Sequence, residues 1–160
     1  MSRTEIDAPA NLPFIDVSRE FDAPLAIVWR AWTEPELIRQ WLGPAKYEML
    51  IDEWDVRDGG RWRFVHRGAD GTEHGFHGVF HGVPSPDGFL QTFEYEGAPG
   101  EVLLERVTFE ERDGRTVLRA TSVFTSVEAR DGMVAAGMSE GVEDGYARLD
   151  ELLAQLTPTA

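Results

Sequence analysis

A chain of 160 residues with 42% hydrophobic content is enough for one domain with an ordinary buried core. Its formal charge of −14 argues against nucleic acid and anionic membrane surfaces, which reward basic patches, and no apolar run approaches the roughly 20 residues that span a bilayer. Zero cysteines exclude disulfides, thiolate metal sites and a cysteine nucleophile, and cytoplasmic residence is the default expectation.

Residues 1–13 are polar and hold Pro9 and Pro13, so they read as a flexible leader before a single domain over 14–157. From Phe14 to Phe21 the chain alternates as a strand does, with Ile15, Val17, Arg19 and Phe21 sharing one side. Asp22 is placed to cap a helix whose first turn holds Pro24 and whose apolar face carries Leu25, Val28, Trp29 and Trp32. Thr33-Glu34-Pro35-Glu36 has the form of a capping box, so a second short helix is expected there. It carries Leu37, Ile38, Trp41 and Leu42 before Gly43-Pro44 ends it, and the three tryptophans of this pair are expected to pack on a sheet.

The middle of the chain is punctuated by Asp58-Gly59, Asp70-Gly71, Asp87-Gly88, Asp113-Gly114 and the break Gly97-Ala98-Pro99-Gly100. Asp-Gly between alternating apolar residues is a strong hairpin signal, because the turns that suit twisted strands need positive φ. Five reversals predict a six-stranded antiparallel meander near 46–56, 61–67, 73–83, 89–96, 101–111 and 116–125. Period two puts Trp62, Phe64 and His66 on one face and Arg61, Arg63 and Arg67 on the other. Phe76 and Phe80 are assigned inward, followed by Phe89, Phe93 and Tyr95, then Leu103, Val107 and Phe109, then Leu118, Ala120, Ser122 and Phe124.

One long helix is expected directly afterwards, ending near Leu156, with Met138, Val142, Gly145, Leu149, Leu152 and Leu156 as its apolar seam. Gly137, Gly141 and Gly145 run beside and into that seam, although each interior glycine costs about 0.5–1 kcal/mol relative to alanine. Close approach of a sheet or of a ligand would offset that cost, so Gly141→Ala is expected to destabilise the fold or weaken binding.

Three blocks carry a family resemblance: Ala23-Pro24 with Val28-Trp29-Arg30-Ala31-Trp32-Thr33-Glu34-Pro35-Glu36-Leu37 and Trp41-Leu42-Gly43-Pro44; Asp55-Val56-Arg57-Asp58-Gly59-Gly60-Arg61-Trp62; and Gly137-Met138-Ser139-Glu140-Gly141 with Gly145-Tyr146-Ala147-Arg148-Leu149-Asp150-Glu151-Leu152-Leu153. They resemble the START-like, or SRPBCC, superfamily, and most closely the bacterial family named after the activator of the Hsp90 ATPase. The resemblance implies an α+β helix-grip fold: a seven-stranded curved antiparallel sheet around the long C-terminal helix, with two short helices after strand one. It also implies a ligand cavity between sheet and helix. No catalytic residue is carried over.

The four histidines form no chelating set by spacing. His77 and His81 are separated by about 13 Å along one strand, His74 and His77 point to opposite faces, and only His66 and His74 meet across a hairpin. No metal and no cofactor are therefore expected. Glu53 and Asp55, near Arg57 and Arg61, read as surface ion pairs, and no hydrolase, dinucleotide or nucleotide motif occurs. The leading expectation is a cavity for a small, largely apolar ligand, lined by Trp62, Phe64, His66, Phe76, Phe80, Phe93, Tyr95, Met138 and Gly141, with His66 or Tyr95 as polar anchor. The alternatives are a cyclase- or hydrolase-like enzyme using His66 as base, and a chaperone-linked or stress-response interaction protein. A homodimer is compatible with each.

Overall fold

The computed structural model describes residues 4–158. Two strands, β1 (Glu5–Asp7) and β2 (Phe14–Phe21), precede two helices, α1 (Leu25–Thr33) and α2 (Pro35–Ile38). Six strands follow: β3 (Tyr47–Trp54), β4 (Arg61–Gly68), β5 (Glu73–Ser85), β6 (Gly88–Tyr95), β7 (Val102–Arg112) and β8 (Arg115–Val123). Helices α3 (Val127–Ala135) and α4 (Met138–Leu156) end the chain. Every strand pairing is antiparallel, in the order β1-β2-β8-β7-β6-β5-β4-β3. The meander thus stands as its turns foretold. At its last turn Asp113 and Gly114 both have positive φ, 52° and 76°, as a two-residue hairpin of mirror-image type requires.

The sheet has eight strands, one more than expected, because the segment read as a leader supplies an edge. Glu5, Ile6 and Asp7 pair with Ser18, Val17 and Asp16. Farther along, the buried Arg130 of α3 donates from Nη1 to the Pro9 carbonyl at 2.8 Å. The leading residues Met1, Ser2 and Arg3 lie outside the described ones.

Helices α1 and α2 carry the chain from β2 to the far edge strand β3, crossing the covered face of the sheet. Trp29 and Trp32 lie on Phe89 and Phe109 there, with ring centroids 5.7–6.5 Å apart. Two indoles also fix the crossing: the buried Trp41 donates from Nε1 to the Ala31 carbonyl at 3.0 Å, and the half-buried Trp54 from Nε1 to that of Thr33 at 2.7 Å. The helix starts depart from the sequence reading. Pro24, not Asp22, is the cap of α1, and the Leu25 N–H is met by the Glu111 carboxylate of β7 at 2.7 Å. No capping box forms at α2, because the Thr33 hydroxyl donates back to the Trp29 carbonyl instead.

The C-terminal helix is also two helices rather than one. Ser126 caps α3, its hydroxyl accepting from the Ala129 N–H, and the chain breaks at Gly137, whose φ of 90° makes it the left-handed cap of α4. From α4 the buried Tyr146, Leu149, Leu152 and Leu153 join Phe21, Leu118 and Val107 in the core. Asp150 of α4 pairs with Arg19, whose guanidinium lies over the Phe21 and Tyr146 rings at 5.1 and 5.8 Å. That pair explains why an arginine occupies the buried face of β2.

Candidate functional site

Strands β4, β5 and β6 assemble an aromatic bank on the covered face. Phe64 stands opposite Phe76, and Phe76 opposite Tyr95. Ring centroids lie 5.5 Å apart for Trp62–Phe64, 5.1 Å for Phe64–Phe76 and Phe76–Tyr95, and 5.4 Å for Trp62–Phe93. Gly78, opposite Trp62, makes room for the indole: a Cβ there would fall 2.0 Å from the Thr92 carbonyl oxygen and 2.5 Å from the ring. Trp62, Phe64 and Phe80 are buried. Phe76, Phe93 and Tyr95 are only half-buried, as are Met138 and Val142 of α4, although all five stand in the layer between sheet and helix.

His66 is buried at one end of this bank. Its ring stacks on Tyr47 (5.8 Å, 7° between planes) and contacts Phe64 and Phe76. Gly43 closes over it, so tightly that a Cβ would lie 2.4 Å from Cε1. Burial, aided by neighbouring His74 and Arg148 and opposed by the Leu42 backbone, brings its pKa down from 6.5 to about 4. The imidazole is therefore neutral at pH 7, and its Nε2 makes no hydrogen bond. His66 does stand opposite His74, and His74 Nδ1 is 2.9 Å from the Tyr95 hydroxyl. Tyr95 is thus already engaged.

Sequence reading passed over a second feature. Glu105 of β7 points to the covered face between Leu103 and Val107, where period two would have placed it. Gln91 Nε2 donates to its Oε1 at 2.8 Å, and the Ser122 hydroxyl to Oε2 at 3.4 Å. The register sets these three side by side across β6, β7 and β8, between Phe80 and Ile15. Desolvation raises the Glu105 pKa against the pull of its two donors. Opposite it, burial and the negative Glu105 push the Tyr146 phenol up as well.

The three glycines of the ridge have three different reasons. Gly137 is the left-handed cap. Gly145 meets backbone, but that of the α2–β3 connection: a Cβ would sit 2.9 Å from the Trp41 carbonyl oxygen and 3.3 Å from the Gly43 nitrogen. Gly141 corrects the expectation of a crowded position. A Cβ there would meet only Pro44, at an ordinary 3.6–3.7 Å. The α2–β3 connection is held in place from α4, where Asp144 accepts from the Ala45 N–H and Arg148 donates to the Gln40 and Gly43 carbonyls.

On the outer face Arg63 grips Glu96 through two bonds of 2.8 Å, with Asp52, Glu94 and His77 around them. Hydrogen bonds from Arg63 and His77 bring the Glu96 pKa down to about 2. Asp55 pairs with Arg57 as a surface ion pair. A depression of about 340 Å³ opens at the β5–β6 hairpin among His81, Val83, Phe89 and Arg106, where the pairing of the two strands shifts register. It lies apart from the aromatic bank, and Ser85, Asp87 and Thr108 complete its rim. Among the described residues no three His, Asp or Glu stand together as metal ligands would, and no helix is long and apolar enough to cross a membrane.

An antiparallel sheet closed on one side by a long helix, with an aromatic bank between them, defines a helix-grip protein. The family model described as "Activator of Hsp90 ATPase homolog 1-like protein" matches residues 22–154, and the chain belongs to that family. A solved structure from Rhodobacter sphaeroides is similar at 26% identity, with a TM-score of 0.87 over 96% of this chain and 99% of that one. A protein from Arthrobacter aurescens is similar at 25% identity, with a TM-score of 0.86 over 94% and 91% of the two chains. A Mycobacterium smegmatis protein at 24% identity and a TM-score of 0.84, covering 98% of each chain, shares the fold. No curated protein matches this sequence.

Proposed function

We propose that this chain binds a small, largely apolar molecule between the covered face of the sheet and α4. The observation that carries this reading is the incomplete covering of the aromatic bank. Phe76, Phe93 and Tyr95 are inward by register, and Met138 and Val142 come down from α4, yet none of the five is fully buried. Apolar side chains that face inward without filling the layer leave surface for a guest, and such sites take an apolar molecule with a few polar contacts. Membership of a helix-grip family supports the same reading by analogy. His66 serves as a wall of the site rather than a base, being neutral, stacked and closed off by Gly43. A chain without cysteine suits the reducing cytoplasm.

The test is a thermal-shift and calorimetric screen with naphthalene-sized apolar compounds, joined to native mass spectrometry of freshly purified protein. Binding of at least one such compound, weakened tenfold or more by Phe93→Glu, is the expected result. Absence of binding across the set, or binding indifferent to Phe93→Glu, would overturn the reading.

A further inference from the structure

Glu105 stands on the covered face, and no ion pair among the described residues involves it. Three polar side chains, Gln91, Glu105 and Ser122, form a row across β6, β7 and β8 on a face otherwise built from Phe80, Phe93, Leu103, Val107 and Ala120. Glu105 is part-buried: it stands on the covered face with Leu103 and Val107, its two carboxylate oxygens are held by Gln91 and Ser122, and protein does not cover it completely. The described arginines nearest in kind are engaged elsewhere: Arg19 is committed to Asp150, and Arg63 to Glu96 on the outer face.

The row is also weighted towards acceptors. One of the two Gln91 amide N–H groups and the Ser122 O–H are spent on Glu105. What remains is one Gln91 N–H against the acceptor capacity of the carboxylate oxygens, the Gln91 carbonyl and the Ser122 oxygen. A guest that brings only acceptors finds that one N–H at most, and a carboxylate guest meets a like charge. A guest that brings an N–H or O–H, above all a cationic one, satisfies the row and neutralises the part-buried acid.

Resting on the binding function proposed above, we infer that Glu105, positioned by Gln91 and Ser122, is the polar anchor of the site and selects apolar molecules bearing an amine, with an alcohol as the weaker ligand. The anchor is thus Glu105 rather than His66 or Tyr95, the two candidates read from sequence.

Three nearly isosteric probes separate the anchor from the site itself: naphthylmethylamine, naphthylmethanol and ethylnaphthalene, which differ only in NH₃⁺, OH or CH₃. Titration calorimetry on the whole chain at pH 7 should rank them in that order. A charge-assisted hydrogen bond to the part-buried carboxylate corresponds to roughly ten- to hundredfold between amine and hydrocarbon. In Glu105→Gln, which keeps shape and hydrogen bonding but removes the charge, the ratio of the two affinities should fall to near one. Equal affinities for all three probes in the parent protein would overturn the anchor and leave the apolar site standing. So would an amine preference that survives in Glu105→Gln. No binding of any probe would remove the site and the anchor together. The parent ranking needs no variant, so poor folding of Glu105→Gln would not shield the inference.

Discussion

Gly141 and Gly145 are one turn apart on α4, and alanine at the two should move stability in opposite directions. At both, alanine removes the conformational freedom of an interior helical glycine, a gain of about 0.8–1 kcal/mol. At position 141 the new methyl reaches Pro44 at 3.6–3.7 Å, an ordinary contact, so nothing is subtracted. At position 145 it arrives 2.9 Å from the Trp41 carbonyl oxygen, and that oxygen belongs to backbone. The loop has little freedom to retreat, because Asp144 and Arg148 bind its backbone on the same side. Overpacking of this kind costs about 1–3 kcal/mol, which leaves Gly145→Ala destabilised by roughly 0–2 kcal/mol once the helix gain is deducted. One kcal/mol corresponds to about 2–4 °C in a domain of this size. Thermal melts should therefore raise the midpoint of Gly141→Ala by about 2–4 °C and lower that of Gly145→Ala or leave it level. A Gly141→Ala midpoint below the parent, or a Gly145→Ala midpoint above it, would refute this account of the ridge.

Four further outcomes are expected. Because the His66 pKa is about 4 when folded and 6.5 otherwise, its neutral form favours folding fully above pH 6.5. As pH falls towards 4, up to about 3 kcal/mol is lost, so urea melts of His66→Gln should show a flatter acid limb than the parent; parallel limbs would contradict this. The Glu105 pKa is raised by folding, so its penalty is absent below about pH 4.5, the ordinary glutamate value, and grows above it. Glu105→Gln should match the parent in acid and melt higher at pH 8, and a lower melt at pH 8 would count against a desolvated carboxyl. Asp150→Ala strands the buried Arg19 and should cost about 2–3 kcal/mol in denaturant melts, less than a fully buried pair because Asp150 is 42% exposed; a change under about 0.5 kcal/mol would refute that role. EDTA should leave the melting temperature unchanged, and a drop reversed by one particular metal would show a site that the histidine spacing conceals.

The legible parts of the fold were those governed by local rules. Asp-Gly turns and period two gave the meander and its faces, and the Trp29–Trp32 spacing gave the helix that lies on Phe89 and Phe109. Illegible parts depended on residues distant in sequence. Leu25 is capped by Glu111, and Pro9 is held by Arg130, so neither helix start nor leader could be read from neighbours alone. The glycine ridge misled because three glycines at regular spacing suggest a single cause. Their surroundings differ: a left-handed cap, an open contact with Pro44 and a backbone crossing. Glu105 was legible in principle, as the one acidic residue at an inward position of a strand whose neighbours Leu103 and Val107 are buried. It carries no motif, because acid–base sites are recognisable in a sequence by paired groups and the immediate inward neighbours of Glu105 are apolar.

The strand order also sets the sequence in which the sheet can be completed. Strands β3 to β8 join neighbours in the chain by short turns, so each pairing closes a small loop as soon as its residues exist. The pairing of β2 with β8 joins Phe14 to Val123, segments more than a hundred residues apart, and β1 hangs on β2. Chain-closure entropy makes that seam the slow one, and on the ribosome the N-terminal strands wait beside a nearly finished meander for β8 to emerge. During that wait the edges of β8 and β2 are both unpaired, and either could accept a strand from a second molecule, so the junction between them is where this fold is most exposed to domain exchange.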